Sequence, residues 1–369
     1  MKILHLLYES EGDYFGIGGV AIRAYEIYDR LKKRHEITLL CKRYPGAQDS
    51  EIKGLKHIFA GTESKSLAKT LISYAWHSRA FVYKYGKNYD IIVEEFSPAI
   101  PTFLNLYKEK PVVIQIQGYT GKSYFEKYPL YYSLPLYLME KTRPNLYKNI
   151  ILVSAPTKRK YNIHNSKNIA VISNGVSSNL FSVKPNEGDY ILYLGRIDIH
   201  GKGLDILLKA YSMVFSDFPH TKLVIAGDGR DREKFIELLS SLPSSIRDNI
   251  KLAGWVEGEE KLRLLRDARF VAITSRYESQ GIVSLEAMAC GKALLVSDIP
   301  EFDYIVKNGI GISFTNGNIQ SLAEAIVKML NICDCKKMGH TGRIFMKELN
   351  WDRVALQYEE FLENLIKGL

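Results

Sequence analysis

Two acidic residues around a glycine are the first candidates for chemistry in this sequence. Glu278 precedes Gly281, and Glu286 lies within Ile282–Ala289, whose apolar spacing predicts a helix. The two acids are about two helical turns apart, so one helix face can present both. Carboxylates accept hydrogen bonds from sugar hydroxyls, and an acid among apolar neighbours needs a polar partner. The spacing therefore indicates a hydroxyl-binding site, with a core helix carrying one surface acid as the open alternative.

The glycine-rich loop Gly195–Gly203 carries a second kind of chemistry. It follows the apolar strand Tyr190–Leu194 and brings Arg196 and Lys202 to the start of a helix predicted over Gly203–Phe215. Two cations beside the free N–H groups of a helix N-terminus form a phosphate-binding arrangement. A surface loop with solvated charges would share this sequence, so the loop alone leaves both interpretations open.

Strands that alternate with helices must position these residues. Such alternation predicts an α/β fold with parallel, doubly wound sheets. Ligands bind beyond the carboxyl ends of strands in such sheets, so we expect a cleft between two similar domains to hold the site. The predicted domains are 1–178, 179–349 and a C-terminal helical segment, 350–369. The other predicted elements are strands Lys2–Leu7, Glu36–Cys41, Ile91–Val93, Val112–Ile116, Ile150–Ser154, Ala170–Ile172, Lys222–Ala226, Ile250–Ala253, Phe270–Thr274, Ala293–Ser297 and Gly311–Phe314, and helices Val20–Leu31 and Asp352–Ile366.

Seven short motifs occur in order along nearly the whole chain. They are Gly16–Gly19, Asn174-Gly175-Val176, Arg196 with five residues before Lys202, Gly227-Asp228-Gly229, Gly254-Trp255-Val256, Glu278 with seven residues before Glu286, and Trp351-Asp352-Arg353. In this order and spacing they resemble the retaining glycosyltransferases of family 4, which have two Rossmann-like domains facing across a cleft (the GT-B fold). The resemblance implies transfer of a hexosyl-type sugar from a nucleotide diphosphate sugar to an acceptor hydroxyl. It also implies that the C-terminal helix crosses back onto the first domain.

The resemblance implies roles for the matching residues. Arg196, Lys202 and Glu278 would form the catalytic set, with the two cations on the diphosphate and Glu278 on the donor sugar. Glu286 would hold the ribose hydroxyls. The base would lie beside Trp255 and Val256. The other donor contacts would come from Gly18, Gly19, Gln117, Gly195, Gly227, Gly281, Ile282 and Val283.

Departure of the diphosphate is the step that these residues address. Arg196 and Lys202 can stabilise the negative charge that grows on the leaving group. Family members need no essential metal, and no Asp-x-Asp motif occurs here, so we expect neither metal nor cofactor. One departure from the family is Gln117, where many relatives have a histidine. Glutamine can hydrogen-bond a sugar hydroxyl but is not protonated near neutral pH, which argues against a catalytic histidine at this position.

The first half of the chain is basic and rich in tyrosine. Residues 1–180 hold 26 Lys and Arg against 15 Asp and Glu, residues 181–369 hold 24 against 26, and 18 of the 24 tyrosines precede residue 181. Such a half suits an anionic, amphipathic partner, although a solvated basic face stays open. The acceptor, a glycan, lipid-linked or small molecule, would meet Glu94, Tyr119 and Tyr124. The segment Tyr124–Tyr147 could lie on a membrane surface, dock a lipid-linked acceptor or form a buried helix under a loop.

Other classes of protein find less support. The early glycines are an incomplete dinucleotide motif, because Ala21 stands at the third glycine position. No nucleic-acid-binding motif occurs. An epimerase or phosphorylase of the same fold, and a noncatalytic nucleotide-sugar-binding protein, stay open. Neither a membrane-spanning segment nor a signal-peptide core is expected, and the four cysteines lack zinc spacing. We therefore expect a cytoplasmic protein with reduced thiols, with peripheral contact to the inner face of the cell membrane as an open alternative. The histidines without motif context, predicted to be structural or surface groups, are His5, His35, His57 and His164.

Overall fold

The computed structural model describes residues 1–13, 18–163 and 168–368. Two compact units make up the chain, Met1–Gly175 with Trp351–Leu369, and Val176–Asn350. Gly16 of the first glycine motif and His164 lie outside the described residues.

The first unit is built on an eight-stranded sheet in the order β3-β4-β2-β1-β5-β6-β7-β8. All pairs are parallel except that of β3 with β4. Both faces are covered, since Ile3 and Leu7 of β1 lie in one apolar cluster and Leu4 and Leu6 in another. Continuous apolar strands are typical of parallel sheets for this reason. The strands are β1 Lys2–Leu7, β2 Glu36–Lys42, β3 Ser50–Ile52, β4 Leu55–Ala60, β5 Ile91–Glu95, β6 Val112–Ile116, β7 Asn149–Leu152 and β8 Asn168–Val171.

The C-terminal helix of the chain packs in this first unit. Tyr358 places its hydroxyl 3.1 Å from that of Tyr28, and Asp352 accepts a hydrogen bond from Arg30 at 2.5 Å. Its apolar face, which includes Trp351, joins the cluster on one face of the sheet. The helices of this unit are α1 Gly19–Leu31, α2 Leu67–Tyr85, α3 Tyr124–Lys127, α4 Leu130–Thr142, α5 Ala155–Lys160 and, at the end of the chain, α14 Trp351–Lys367.

The second unit is built on a six-stranded parallel sheet in the order β11-β10-β9-β12-β13-β14. Its two faces are also covered by apolar clusters. The strands are β9 Tyr190–Leu194, β10 Lys222–Ala226, β11 Ile250–Gly254, β12 Phe270–Ile273, β13 Ala293–Ser297 and β14 Gly311–Phe314. The helices are α6 Leu204–Val214, α7 Arg232–Ser240, α8 Ser244–Arg247, α9 Gly258–Asp267, α10 Ile282–Ala289, α11 Asp303–Lys307, α12 Ile319–Asn331 and α13 Cys335–Met346.

The predicted α/β fold with two parallel sheets is confirmed, with one addition and one correction. The addition is the hairpin of β3 and β4, which the sequence did not predict. The correction concerns Tyr124–Tyr147, for which a buried helix is wrong. Helix α4 of this segment buries only Ser133 and Glu140, and it exposes Leu130 and Tyr131 to 67% and 70%. Among the described residues, no helix is both long and apolar enough to span a membrane.

Candidate functional site

The strand order of the second unit fixes where a ligand can bind. The chain builds outward from β9 through β10 to β11, and then returns to the other side of β9 with β12. The loops that leave the carboxyl ends of β9 and β12 therefore diverge and leave a crevice, the usual ligand position in such sheets. The first of these loops is Gly195–Gly203, and the second carries Glu278.

Hydrogen bonds hold the two loops together. The hydroxyl of Thr274 donates to the carbonyl of Lys202 at 2.8 Å, and Arg276 donates to the carbonyl of His200 at 2.6 Å. Arg276 is itself fixed by two 2.8 Å bonds to Asp205. Gly203 has φ +65°, and a Cβ there would lie 2.1 Å from the Thr274 carbonyl oxygen, so the close approach requires glycine.

Lys202 and Glu278 form an ion pair in this crevice. The Lys202 ammonium donates to Oε1 of Glu278, and the Ser275 hydroxyl donates to the same oxygen at 2.9 Å. The side chains remain 28% and 13% exposed, so an anionic ligand can reach the lysine from solvent. Arg196 is exposed, and its carbonyl accepts a 2.7 Å hydrogen bond from Tyr193. The two predicted diphosphate ligands thus lie on one short loop of one crevice.

The second predicted acid forms its own ion pair. Gly281, with φ +68°, caps the N-terminus of α10 and directs this helix, which carries Glu286, away from the loop. Glu286 Oε1 accepts from the Lys261 ammonium at 2.6 Å, whereas Glu286 Oε2 is buried and has no hydrogen-bond partner among the described residues. Ile282 and Val283 are half-buried in the first turn of α10. The carboxylate is therefore fixed through Oε1, and its buried second oxygen has unused acceptor capacity.

The neighbouring strand ends complete this edge of the sheet. The amide of Gly227 donates to the Gly254 carbonyl at 2.6 Å, and a Cβ on Gly227 would lie 1.8 Å from the Gly195 carbonyl oxygen. Trp255 follows and is 70% exposed, whereas the next residue, Val256, is buried. The exposed indole offers a flat apolar face to a ligand ring.

The first unit has a similar topological reversal between β1 and β5. Helix α1 begins at Gly19 near this edge, and the amide of Gly18 donates to Oε2 of Glu9 at 2.9 Å. The amide of Ala21 donates to the same oxygen at 3.2 Å. The pKa of Glu9 is raised, because the effect of burial exceeds the opposite effect of these two amide hydrogen bonds. The anion-binding end of α1 thus holds the chain's own carboxylate, which an external anion would have to displace.

Gln117 follows β6 and is held by Glu95, the neighbour of the predicted acceptor residue Glu94. Its Nε2 lies 3.2 Å from each carboxylate oxygen of Glu95, which also accepts from Gln115 and lies 3.3 Å from Nε2 of His5. A carboxylate only accepts, so the amide nitrogen of Gln117 must face Glu95. Its carbonyl oxygen therefore points away as an acceptor.

The three acceptor candidates differ in accessibility. Glu94 is buried and bonded to Arg143, to Thr102 and, at 2.6 Å, to the hydroxyl of Tyr147. Both oxygens of the Glu94 carboxylate are thus already bonded inside the first unit, and we assign Glu94 no role in substrate binding.

The two tyrosines behave differently from each other. Tyr124 is buried with its hydroxyl 3.3 Å from Glu140, and burial raises its pKa. Tyr119 is half-exposed, packs edge-on against Tyr161 at 5.1 Å and lies 5.3 Å from the ammonium of Lys141. Of the three candidates, Tyr119 is the one that a ligand can contact without rearrangement.

One group of described residues has the spacing of a metal site, namely His35, Glu359 and Glu363. It lies at the amino end of β2, the opposite edge of the sheet from Gln117. Arg34 and Lys367 already pair with its two acids. The group belongs to the packing of α14 and not to the candidate site.

Comparison with solved structures identifies the fold. The chain superposes on sucrose-phosphate synthase from Thermosynechococcus elongatus with a TM-score of 0.81 at 19% identity over the whole of both chains. The Anabaena protein HepE, solved in complex with UDP and glucose, gives 0.75 at 18% identity over 99% of this chain and 100% of that chain. The two parallel-sheet domains therefore have the GT-B fold.

Comparison with family models identifies the family. The model described as Glycosyltransferase Family 4 matches residues 17–180, and the model described as Glycosyl transferases group 1 matches residues 180–345. The chain belongs to glycosyltransferase family 4. A phosphatidyl-myo-inositol mannosyltransferase of Mycobacterium leprae is 27% identical over 81% of this chain and 80% of that protein. An uncharacterised glycosyltransferase of Methanocaldococcus jannaschii is 29% identical over 58% of this chain and only 59% of that protein.

Proposed function

We propose that this glycosyltransferase transfers a hexosyl unit from a nucleotide diphosphate sugar to an acceptor hydroxyl, with retention of configuration and without an essential metal. The observation that carries the proposal is the pair of ion pairs beside the β9–β12 crevice, Lys202 with Glu278 and Lys261 with Glu286. In each pair the ammonium group fixes a carboxylate, and the carboxylate oxygens can accept hydrogen bonds from hydroxyls. The ammonium group of Lys202 can also bind a phosphate oxygen.

Different residues would hold the diphosphate, the sugar, the ribose and the base of the donor. Arg196 and Lys202 bind the diphosphate, and Lys202 exchanges its contact with Glu278 for a phosphate oxygen. Glu278 is then free to accept from a sugar hydroxyl, assisted by Ser275 on the same oxygen. Glu286 accepts from the ribose hydroxyls, and the base lies on Trp255. The complex of HepE with UDP and glucose supports a nucleotide sugar as donor.

The reaction breaks the bond between the anomeric carbon and the diphosphate and forms a bond from that carbon to the acceptor oxygen on the same face. The acceptor's proton passes to the departing phosphate oxygen. Arg196 and Lys202 stabilise the negative charge on the leaving group, the task that a divalent cation performs in other phosphate chemistry. Gly18 and Gly19 remain proposed diphosphate ligands, which requires Glu9 to give up the Gly18 amide.

Gln117 would contact a substrate hydroxyl through its carbonyl oxygen. Glu95 holds the amide nitrogen, so only the acceptor end is presented. No proton transfer is assigned to it, because an amide does not titrate near neutral pH. Glu95 acts as a positioning residue.

The acceptor would be a lipid-linked or cell-surface glycan precursor. Two observations support this class, the basic and tyrosine-rich first half of the chain and the similarity to a phosphatidyl-myo-inositol mannosyltransferase. Tyr119 is the proposed acceptor contact.

Incubation of the protein with UDP-, GDP- and ADP-sugars and an extract of lipid-linked acceptors tests the proposal. We expect a glycosylated acceptor and free nucleoside diphosphate in equal amounts. Isomerised donor would indicate an epimerase, free sugar phosphate a phosphorylase, and binding without conversion a noncatalytic protein. Lys202→Met should abolish transfer, whereas Lys209→Met, at an exposed position of α6, should not.

A further inference from the structure

Helix α4 has the reverse of the usual arrangement of a surface helix. Its two buried residues, Ser133 and Glu140, are polar, and it exposes leucines and tyrosines. A surface helix of a globular protein normally turns its apolar stripe inward. We name the exposed tyrosines and leucines of α4, together with Tyr128 just before the helix, the tyrosine–leucine surface. Its residues are Tyr128, Leu130, Tyr131, Tyr132, Leu134 and Leu138.

The tyrosine–leucine surface is large for a protein face in contact with water. The three tyrosines are 45%, 70% and 55% exposed, which leaves roughly 300 Å² of aromatic surface accessible. Leu130, Leu134 and Leu138, spaced four residues apart on one helix face, extend it further. An apolar patch of this size marks an interaction site.

Buried polar contacts fix this helix to the candidate site of the first unit. The Glu140 carboxylate accepts from the amides of Thr120 and Gly121 at 2.8 and 2.6 Å. These residues follow Gln117 and Tyr119 directly in the chain. A partner that seats α4 is thereby placed at a fixed distance from the proposed acceptor contacts.

The charge around the tyrosine–leucine surface selects the partner. Residues 120–160 contain eight Lys and Arg against two acids; without the buried Arg143 and Glu140, seven cations and one acid remain. Lys122 is exposed on the turn before α3, and Lys141 lies over the rings of Tyr119 and Tyr137. Tyrosines and lysines around exposed leucines are the composition of segments that lie in the interface of an anionic membrane.

We propose that the tyrosine–leucine surface docks the protein on an anionic lipid bilayer, with the leucines below the headgroups and the lysines at their level. A second copy of the chain fits less well, because a two-fold contact would bring these cations towards their own symmetry mates. The assignment of a lipid-linked acceptor rests on the proposed function, whereas bilayer binding itself does not.

Sedimentation of the full chain with vesicles tests the docking. We expect binding to phosphatidylcholine vesicles with about a third phosphatidylglycerol, little binding to phosphatidylcholine alone, and release in about 0.5 M NaCl. The double variant Leu130→Ser, Leu134→Ser should weaken binding by at least about tenfold. The control Ile332→Ser, Ile344→Ser changes two exposed apolar residues of the second unit and should bind like the wild type.

Two further readouts decide the result. Calorimetry with the nucleotide sugar should give the same affinity in the Leu130, Leu134 variant as in the wild type, which separates failed docking from a misfolded chain or a failed donor assignment. The tryptophan fluorescence of the Tyr131→Trp variant should be quenched by brominated lipid in anionic vesicles more than that of the wild type. Equal vesicle binding by wild type and variant would overturn the proposal, as would a wild-type dimer in sedimentation that the same two substitutions dissociate.

Discussion

The ion pair of Lys261 with Glu286 gives a quantitative expectation for nucleotide affinity. Lys261→Met removes the 2.6 Å bond that fixes Oε1 of Glu286, and the carboxylate is then free to turn away from the ribose. A charge-assisted hydrogen bond contributes about 1.5–3 kcal/mol when buried. These side chains are 27% and 15% exposed, so solvent screening reduces this contribution to about 1 kcal/mol. We therefore expect the Kd of the nucleoside diphosphate to rise about fivefold.

A double-mutant cycle isolates this contribution. Glu286→Gln alone should weaken binding more than Lys261→Met does, because it replaces the ribose acceptor itself. Once Glu286 has been changed, Lys261→Met should cost little more, which gives a coupling of about 1 kcal/mol. Isothermal calorimetry of the four proteins measures it, with Lys251→Met, an exposed lysine of β11, as the control. Additive effects, within about 0.3 kcal/mol, would refute the claim that Lys261 acts through Glu286.

Three other changes have defined outcomes. Gln117→Met should lower kcat/KM for the nucleotide sugar by up to about tenfold, the cost of one lost hydrogen bond, and leave the Kd of the free nucleoside diphosphate unchanged; steady-state kinetics with calorimetry checks both, and an unchanged kcat/KM speaks against the role of the amide. Glu9→Gln should tighten nucleoside diphosphate binding, because a neutral amide competes less for the α1 amides, and weaker binding measured by calorimetry would remove Gly18 from the site. Burial lowers the pKa of Lys292 from 10.5 to about 8, so the unfolded chain binds more protons between these values and the free energy of unfolding rises with pH there. Lys292→Met should lack this rise in urea titrations across that range, and an identical pH dependence in both proteins would contradict the assignment.

Sequence patterns predicted the residues at strand ends better than the pairing between elements. The loops that carry Arg196, Lys202 and Glu278 follow apolar strands. The hydrophobic periodicity of these strands and the glycines in the loops are enough to place the three residues at the carboxyl edge of a sheet. Lys261 carries no such signal, because α9 also contains Arg263 and Arg266. Only the packing of α9 beside α10 selects Lys261 as the partner of Glu286.

The choice between Glu94 and Glu95 shows a second limit of sequence reasoning. Successive strand residues face opposite sides of a sheet, so one of these acids joins Arg143 in the interior and the other reaches Gln117. No local feature of the sequence distinguishes two adjacent acids at a strand end, so Glu94 was predicted as the substrate contact without a way to tell it from Glu95. The hairpin of β3 and β4 was missed for a related reason. Its strands are short and partly polar, and its two-residue turn of Lys53 and Gly54, both with positive φ, lacks the Asn-Gly or Asp-Gly pair that marks such turns in a sequence.

The most direct test of the donor site is calorimetry of UDP-, GDP- and ADP-sugars with the wild type, Lys202→Met and Glu286→Gln, all in the presence of EDTA. The proposed site predicts that at least one of these donors binds the wild type without metal and that both substitutions weaken it, Glu286→Gln also for the free nucleoside diphosphate. Donor binding that requires a divalent cation, or that is unchanged in both variants, would contradict the assignment of Lys202 and Glu286 as the residues that hold the donor.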